Sequence, residues 1–150
     1  MADPKINRLS NNEKTGDFDV VAVYDYNAIA DNATSSNQTI IGQVPAGGGV
    51  EKVVVYESTA LVGASDITLD VGTTTGDPDE FIDALDVDAM TAPVYNTGDL
   101  FEAANAGGID LVGLTNTAAD IYVEWNGTVA NLTAGEVVIG IKFADLGRFA

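Results

Sequence analysis

The sequence predicts a mainly β fold: an antiparallel β-sandwich or jelly roll with one short helix near residues 78–86. Three observations predict it. Short segments in which apolar and polar residues alternate recur along the chain, the pattern of strands with one face in a core. Clusters of Gly, Asn, Thr and Asp separate these segments, as turns require. No long helical pattern alternates with them, which disfavours a doubly wound α/β sheet. At 150 residues the chain has the length of one domain, enough to bury roughly 70% of its unfolded surface without staples.

Residues 1–16 are polar and irregular and read as an N-terminal arm; residues 17–150 read as the sandwich domain. The arm carries Lys5, Arg8 and Lys14, half of the six basic residues. It reads either as a disordered tail or as a strap anchored by Ile6 and Leu9 on an acidic neighbour. The first strand is DFDVVAVYDY, with Phe18, Val20, Ala22, Tyr24 and Tyr26 on one face. QTIIGQV follows and ends at Pro45, and Ala46–Gly49 makes a turn. VEKVVVYES is apolar throughout its centre, so both of its faces are open to being covered. DITLDVG alternates cleanly, with Ile67, Leu69 and Val71 inward. APVYN and GGIDLVGL are further candidates. DIYVEWNG then sets Ile121, Val123 and Trp125 together, and EVVIGIKF aligns Val137, Ile139, Ile141 and Phe143. Seven or eight short strands result, a number that suits a sandwich.

Ser65–Met90 holds eight acids and no base, so it is tested first as a metal loop. An EF-hand numbered from Asp77 puts Phe81 at position 5 and Ile82 at position 6, where an oxygen ligand and a glycine are needed. A helix start accounts for the same letters: Asp77 as N-cap, Pro78 at the first helical position, Glu80 at N3, then an apolar stripe of Phe81, Ile82 and Leu85. A weak calcium site of Asp77, Asp79 and Asp83 is the alternative. Ala46–Lys52 fits neither a P-loop nor a dinucleotide fingerprint.

Composition narrows the chemistry further. The chain has no cysteine and no histidine, which excludes disulfides, thiolate sites, Ser-His-Asp and Cys-His catalysis and the usual zinc sites. It has 23 acids against 6 bases, a formal charge of −17. Between Val53 and Ile141 stand fifteen acids and no base, a surface that repels phosphate backbones, so neither nucleic acid nor an anionic membrane is an expected partner. The charge itself reads as solubility, in surroundings whose salt screens self-repulsion. No run of about 18 apolar residues marks a transmembrane helix, and the first residues lack the apolar core of a secretory signal. Four glycosylation sequons, at Asn32, Asn37, Asn126 and Asn131, read as chance in a chain rich in Asn and Thr. A carboxylate pair of the glycosidase kind carries no signal among so many acids. Trp125 reads as core, with a sugar-stacking platform as the alternative.

The stretch DITLDVGTTTGDPDEFIDALDVDAM, followed by DIYVEWNGTVANLTAGEVVIGIKF, resembles the head decoration, or cement, proteins of tailed bacteriophages, over about residues 39–144. The resemblance implies a β-sandwich or jelly roll on the outer surface of a virion capsid, made in the host cytoplasm, that forms homotrimers and clamps neighbouring major capsid proteins. It implies no enzyme activity, no cofactor and no metal. Lys5, Ile6, Arg8, Leu9, Lys14 and Phe149 are then the candidate capsid contacts. A second function class is a carbohydrate- or receptor-binding sandwich, with a platform drawn from Tyr24, Tyr56, Tyr95 and Tyr122. An enzyme using carboxylates or a bound cation is the third.

Overall fold

The computed structural model describes residues 4–8, 18–32, 38–96 and 117–145. Nine strands lie among them: β1 (Lys5–Arg8), β2 (Val20–Asp25), β3 (Gln38–Val44), β4 (Gly48–Val62), β5 (Thr68–Gly72), β6 (Ile82–Asp86), β7 (Val94–Asn96), β8 (Ala119–Asn126) and β9 (Ala134–Asp145). They form a five-stranded sheet of order β1-β2-β9-β4-β7 and a four-stranded sheet of order β3-β8-β5-β6, in which every pairing is antiparallel. The partners β2 with β9, β3 with β8, β4 with β7 and β5 with β6 are those of one long hairpin rolled into two layers. That is the strand order of a jelly roll, with β1 added at one edge.

Alternation carries the packing, as the sequence pattern requires. Val20, Ala22 and Tyr24 of β2, Val137, Ile139 and Ile141 of β9, Leu69 and Val71 of β5, and Ile121, Val123 and Trp125 of β8 are all buried between the sheets. Trp125 is wholly buried and meets Tyr24 of the opposite sheet edge-on, with ring centroids 5.3 Å apart. Burial pushes the Tyr24 phenol above its ordinary pKa, and the Thr39 hydroxyl offsets only part of that rise. Trp125 is therefore a core residue. In β4 the run Val53–Val55 is buried on both faces.

Two elements differ from the sequence reading. Residues 78–86 are not helical. Pro78 lies in a loop, and Ile82–Asp86 pairs with β5 through Thr68↔Asp86, Leu69↔Leu85 and Val71↔Ile82. One residue of β5, Asp70, thus stands against two of β6, Asp83 and Ala84, a β-bulge. The bulge centres on Ala84, whose φ is +46° and whose N–H donates to the Asp70 carboxylate. It turns Ile82 and Leu85, three apart, to the same side, which is why the stripe mimicked a helix. Phe81 N–H donates to Val71 C=O at 2.9 Å and Val87 N–H to Ile67 C=O at 3.1 Å, extending the ladder past both ends. Glu80, expected to complete a capping box, instead accepts from the Thr73 N–H at 2.8 Å and from the Thr74 hydroxyl, bracing the β5–β6 loop.

The short helix lies at Tyr26–Asp31 (α1). Asp25 ends β2 and caps α1, its Oδ1 accepting from Ala28 N–H at 2.8 Å. Asn32 closes the other end, donating from Nδ2 to Ala28 C=O at 2.7 Å. Ala28 and Ile29 are buried, and α1 packs by a 3-10 turn at Val129–Asn131. Tyr26 therefore starts a helix and does not continue the face of β2. Lys5–Arg8, placed in the arm by composition, pairs with β2 as an edge strand. The strand expected at Gly107–Leu114 lies outside the described residues.

Gly127 closes the end of β8 with φ +98°, and a Cβ there would stand 2.1 Å from the Asp66 carbonyl oxygen. Gly76 has a similar φ of +95° and open space around it. Gly76→Ala adds only backbone strain, on the order of 1 kcal/mol. Gly127→Ala adds a collision with backbone and should cost about 2 kcal/mol more. Urea midpoints of the two variants at a common m-value measure the difference.

Candidate interaction surfaces

The described side chains offer two broad sheet faces, one groove and one notch. On the four-stranded sheet, residues that alternate outward include Asp70 of β5, Asp83 and Asp86 of β6, and Asp120 and Glu124 of β8. No base stands among them. Asp70 and Glu124 are directly opposite in the ladder, an arrangement that costs energy between like charges. Two amide side chains relieve it. Gln38 Nε2 donates to Glu124 Oε2 at 2.7 Å, and Asn126 Nδ2 donates to Asp70 Oδ2 at 2.8 Å. Asp70 is nonetheless held above the ordinary carboxyl pKa, first by burial and then by the charges of Glu124 and Asp83, with the Ala84 N–H and Asn126 pulling the other way.

The outer face of the five-stranded sheet is different in kind. Val21 and Val23 of β2 and Val138 of β9 are half-buried between fully buried neighbours, so they point away from the core. Val54 and Tyr56 of β4 continue the rows, since Val54 pairs with Gly140 and Tyr56 with Val138. Phe18 lies over Gly140, where a Cβ would come within 2.8 Å of the ring. Lys52 Nζ sits 5.1 Å from the centre of that ring, a cation–π contact. Lys142 stands opposite Lys52 and reaches Glu51 at 3.6 Å. Lys5, exposed on β1, shares a shallow notch with Val23, Asp25 and Glu136.

A groove of about 290 Å³ runs beside this face, lined by Tyr56, Glu57, Ala60, Met90, Thr91, Ala92 and Pro93. Tyr56 is 46% exposed at its margin. Of the four tyrosines considered for a sugar platform, the three with described side chains do not gather. Tyr24 is buried in the core, and Tyr56 and Tyr122 lie on the outer faces of opposite sheets. The Tyr95 side chain lies outside the described residues.

The candidate contacts that fall among the described residues stand together on β1. Lys5 is exposed, Ile6 packs against the core opposite Ala22, and Arg8 ends β1 opposite Val20. The Arg8 side chain, Leu9, Lys14 and Phe149 lie outside the described residues. Asp77 and Asp79 sit in an exposed loop while Asp83 belongs to β6. Among the described residues no three Asp or Glu side chains come together as a metal-binding group. No helix of the described residues is long and apolar enough to cross a membrane. The apolar outer face escaped the strand-by-strand reading. Its signal was present in the doublets Val20-Val21 and Val137-Val138, where alternation lapses because both faces are apolar.

No protein-family model matches this chain, and no curated protein matches it. Among solved structures, a chain of a cyanophage Pam1 capsid asymmetric unit has the same fold. The alignment covers 82% of this chain and 80% of the other, with a TM-score of 0.57 and 15% sequence identity.

Asp70 provides a test of the acidic face. Its raised pKa means that the folded state holds the proton more tightly than the unfolded chain. Stability from this group is therefore greatest at low pH and falls as pH rises from the unfolded carboxyl value through the folded one. Asp70→Asn removes that dependence. The variant should match the parent near pH 4 and exceed it at pH 7 by a few tenths of a kcal/mol, within the range for opposed like charges. Chemical denaturation across that pH range measures it.

Proposed function

We propose that this chain is a non-enzymatic structural protein of a tailed-phage virion, which binds the outer surface of the capsid and clamps neighbouring major capsid proteins. The observation that carries the reading is the fold shared with a chain of the cyanophage Pam1 capsid asymmetric unit across four-fifths of both chains. A fold alone serves many functions, and three further observations support this one. The sequence stretches from Asp66 to Met90 and from Asp120 to Phe143 resemble head decoration proteins. The chain has neither cysteine nor histidine, so the commonest nucleophile–base pairs are absent. The described side chains present broad sheet faces with shallow depressions, surfaces suited to packing against another protein.

In this role the stiff jelly roll holds adhesive patches in fixed positions. A surface ion pair contributes about 0–1 kcal/mol, so attachment rests on buried apolar area and on many copies acting on one shell. Lys5, exposed on the edge strand, is the described cation best placed to meet carboxylates of a shell subunit.

Virions assembled without the protein should lose density outside the shell in cryo-electron microscopy and rupture at lower temperature. Adding the purified chain should restore both. Particles that keep the same outer density and the same rupture temperature without it would overturn the proposal.

A further inference from the structure

We propose that Asn126 is a deamidation site gated by the fold: while the end of β8 is paired its side-chain amide is preserved, and when that end opens the chain converts the amide into a carboxylate for good. The inference does not depend on the capsid reading. Among the asparagines of the sequence, Asn126 alone precedes a glycine. A residue without a Cβ leaves its own backbone nitrogen unhindered and its dihedrals free. Asn126-Gly127 is therefore the dipeptide at which a following nitrogen reaches an asparagine side chain most readily.

The turn requires that glycine. Gly127 has φ +98°, and a Cβ there would stand 2.1 Å from the Asp66 carbonyl oxygen. Thr128 then fixes the chain by donating to the Asp66 carboxylate, from its N–H at 3.1 Å and from its hydroxyl. The reactive dipeptide is thus built into the fold, and the fold restrains it from the other side. Asn126 is the last residue of β8 and pairs with Thr68 of β5. Its Nδ2 donates to Asp70 Oδ2 at 2.8 Å. Ring closure needs Asn126 Cγ against the Gly127 nitrogen. The ladder holds the backbone extended, Asp70 holds the amide toward β5, and both must let go first.

The reaction consumes only water. The Gly127 nitrogen gives its proton to solvent and bonds to Asn126 Cγ, the Cγ–Nδ2 bond breaks, and that nitrogen leaves as ammonia. Water then opens the cyclic imide at either carbonyl, giving aspartate or isoaspartate with no change of oxidation state. Either product replaces a donor to Asp70 with a negative charge. Asp70 already faces Glu124 across the ladder, and of the two amides that relieve this pair only Gln38 would remain. Like charges across a ladder are destabilising, so the converted end does not return to its former pairing. A transient opening of β8 is thereby fixed as a permanent charge.

Peptide mapping by mass spectrometry of the full chain, aged at mildly alkaline pH, tests the proposal. In guanidinium chloride Asn126 should convert before every other asparagine. In the folded chain the same conversion should be slower by at least about tenfold, as a reaction that waits for local opening must be. Asp70→Ala frees the amide and should raise the folded-state rate about threefold, in keeping with the loss of one hydrogen bond; circular dichroism checks its fold. Asn126→Gln, whose longer side chain closes a ring far less readily, should abolish conversion at this position. Asn126→Asp, which is one of the two products, should lower the urea midpoint at neutral pH. If Asp70→Ala does not fold, the folded and denatured parent chains still decide the matter. Equal rates in those two states, another asparagine converting first in the denatured chain, an unchanged rate in folded Asp70→Ala, or an unchanged urea midpoint for Asn126→Asp would each overturn the proposal.

Discussion

The structure depends on one constraint: two sheets with an apolar inner face each must cover one another. Its centre is the edge-on meeting of Tyr24 and Trp125, which joins β2 of one sheet to β8 of the other at 5.3 Å. These are the two largest fully buried side chains of the core. Aromatic pairs of this geometry add about 0.5–1.5 kcal/mol beyond the area they bury. Truncating Trp125 would leave a cavity spanning both layers, of the class that costs about 3–5 kcal/mol. Among the described residues the interior holds no titratable side chain except the Tyr24 phenol, which burial keeps neutral.

Most of the fold was legible in the letters because a strand with one buried face has to alternate. Ile67, Leu69 and Val71, then Ile121, Val123 and Trp125, were read inward from spacing alone, and all six are buried. What was not legible follows from tertiary pairing. Phe81, Ile82 and Leu85 have helical spacing, and Asp77-Pro78 is a good helix start. Local propensity there yields to the open edge of β5. A ladder partner was available, and the bulge at Ala84 absorbs the residue that breaks period two. The cost of that solution is visible in a positive φ at a non-glycine residue, held by the Asp70 carboxylate. The true helix was hidden for the opposite reason. Tyr26 continues the alternation of β2, and only the Asp25 cap shows that the strand has ended.

The candidate surfaces were less legible than the core. Which outward residues become neighbours is decided by strand order, and strand order is a property of the rolled hairpin, not of any one segment. Lys52 and Lys142 are ninety residues apart, yet they stand side by side because β4 and β9 pair through the middle of the sheet. Asp70 and Glu124 are opposed for the same reason on the other sheet. The sequence shows a long stretch without bases. It does not show that the two lysines bounding that stretch meet on one face.

Among the described residues the outer faces of the two sheets thus differ in kind. Repulsion among carboxylates is local at physiological salt, since it fades over about 8 Å. Five of the described carboxylates alternate outward on one sheet, a layer about 10 Å from the sheet whose outer face carries Val21, Val23 and Val138. The hydrogen bonds of Gln38 and Asn126 make the crowded face tolerable without introducing a base. A base there would draw neighbouring copies onto that face by charge alone.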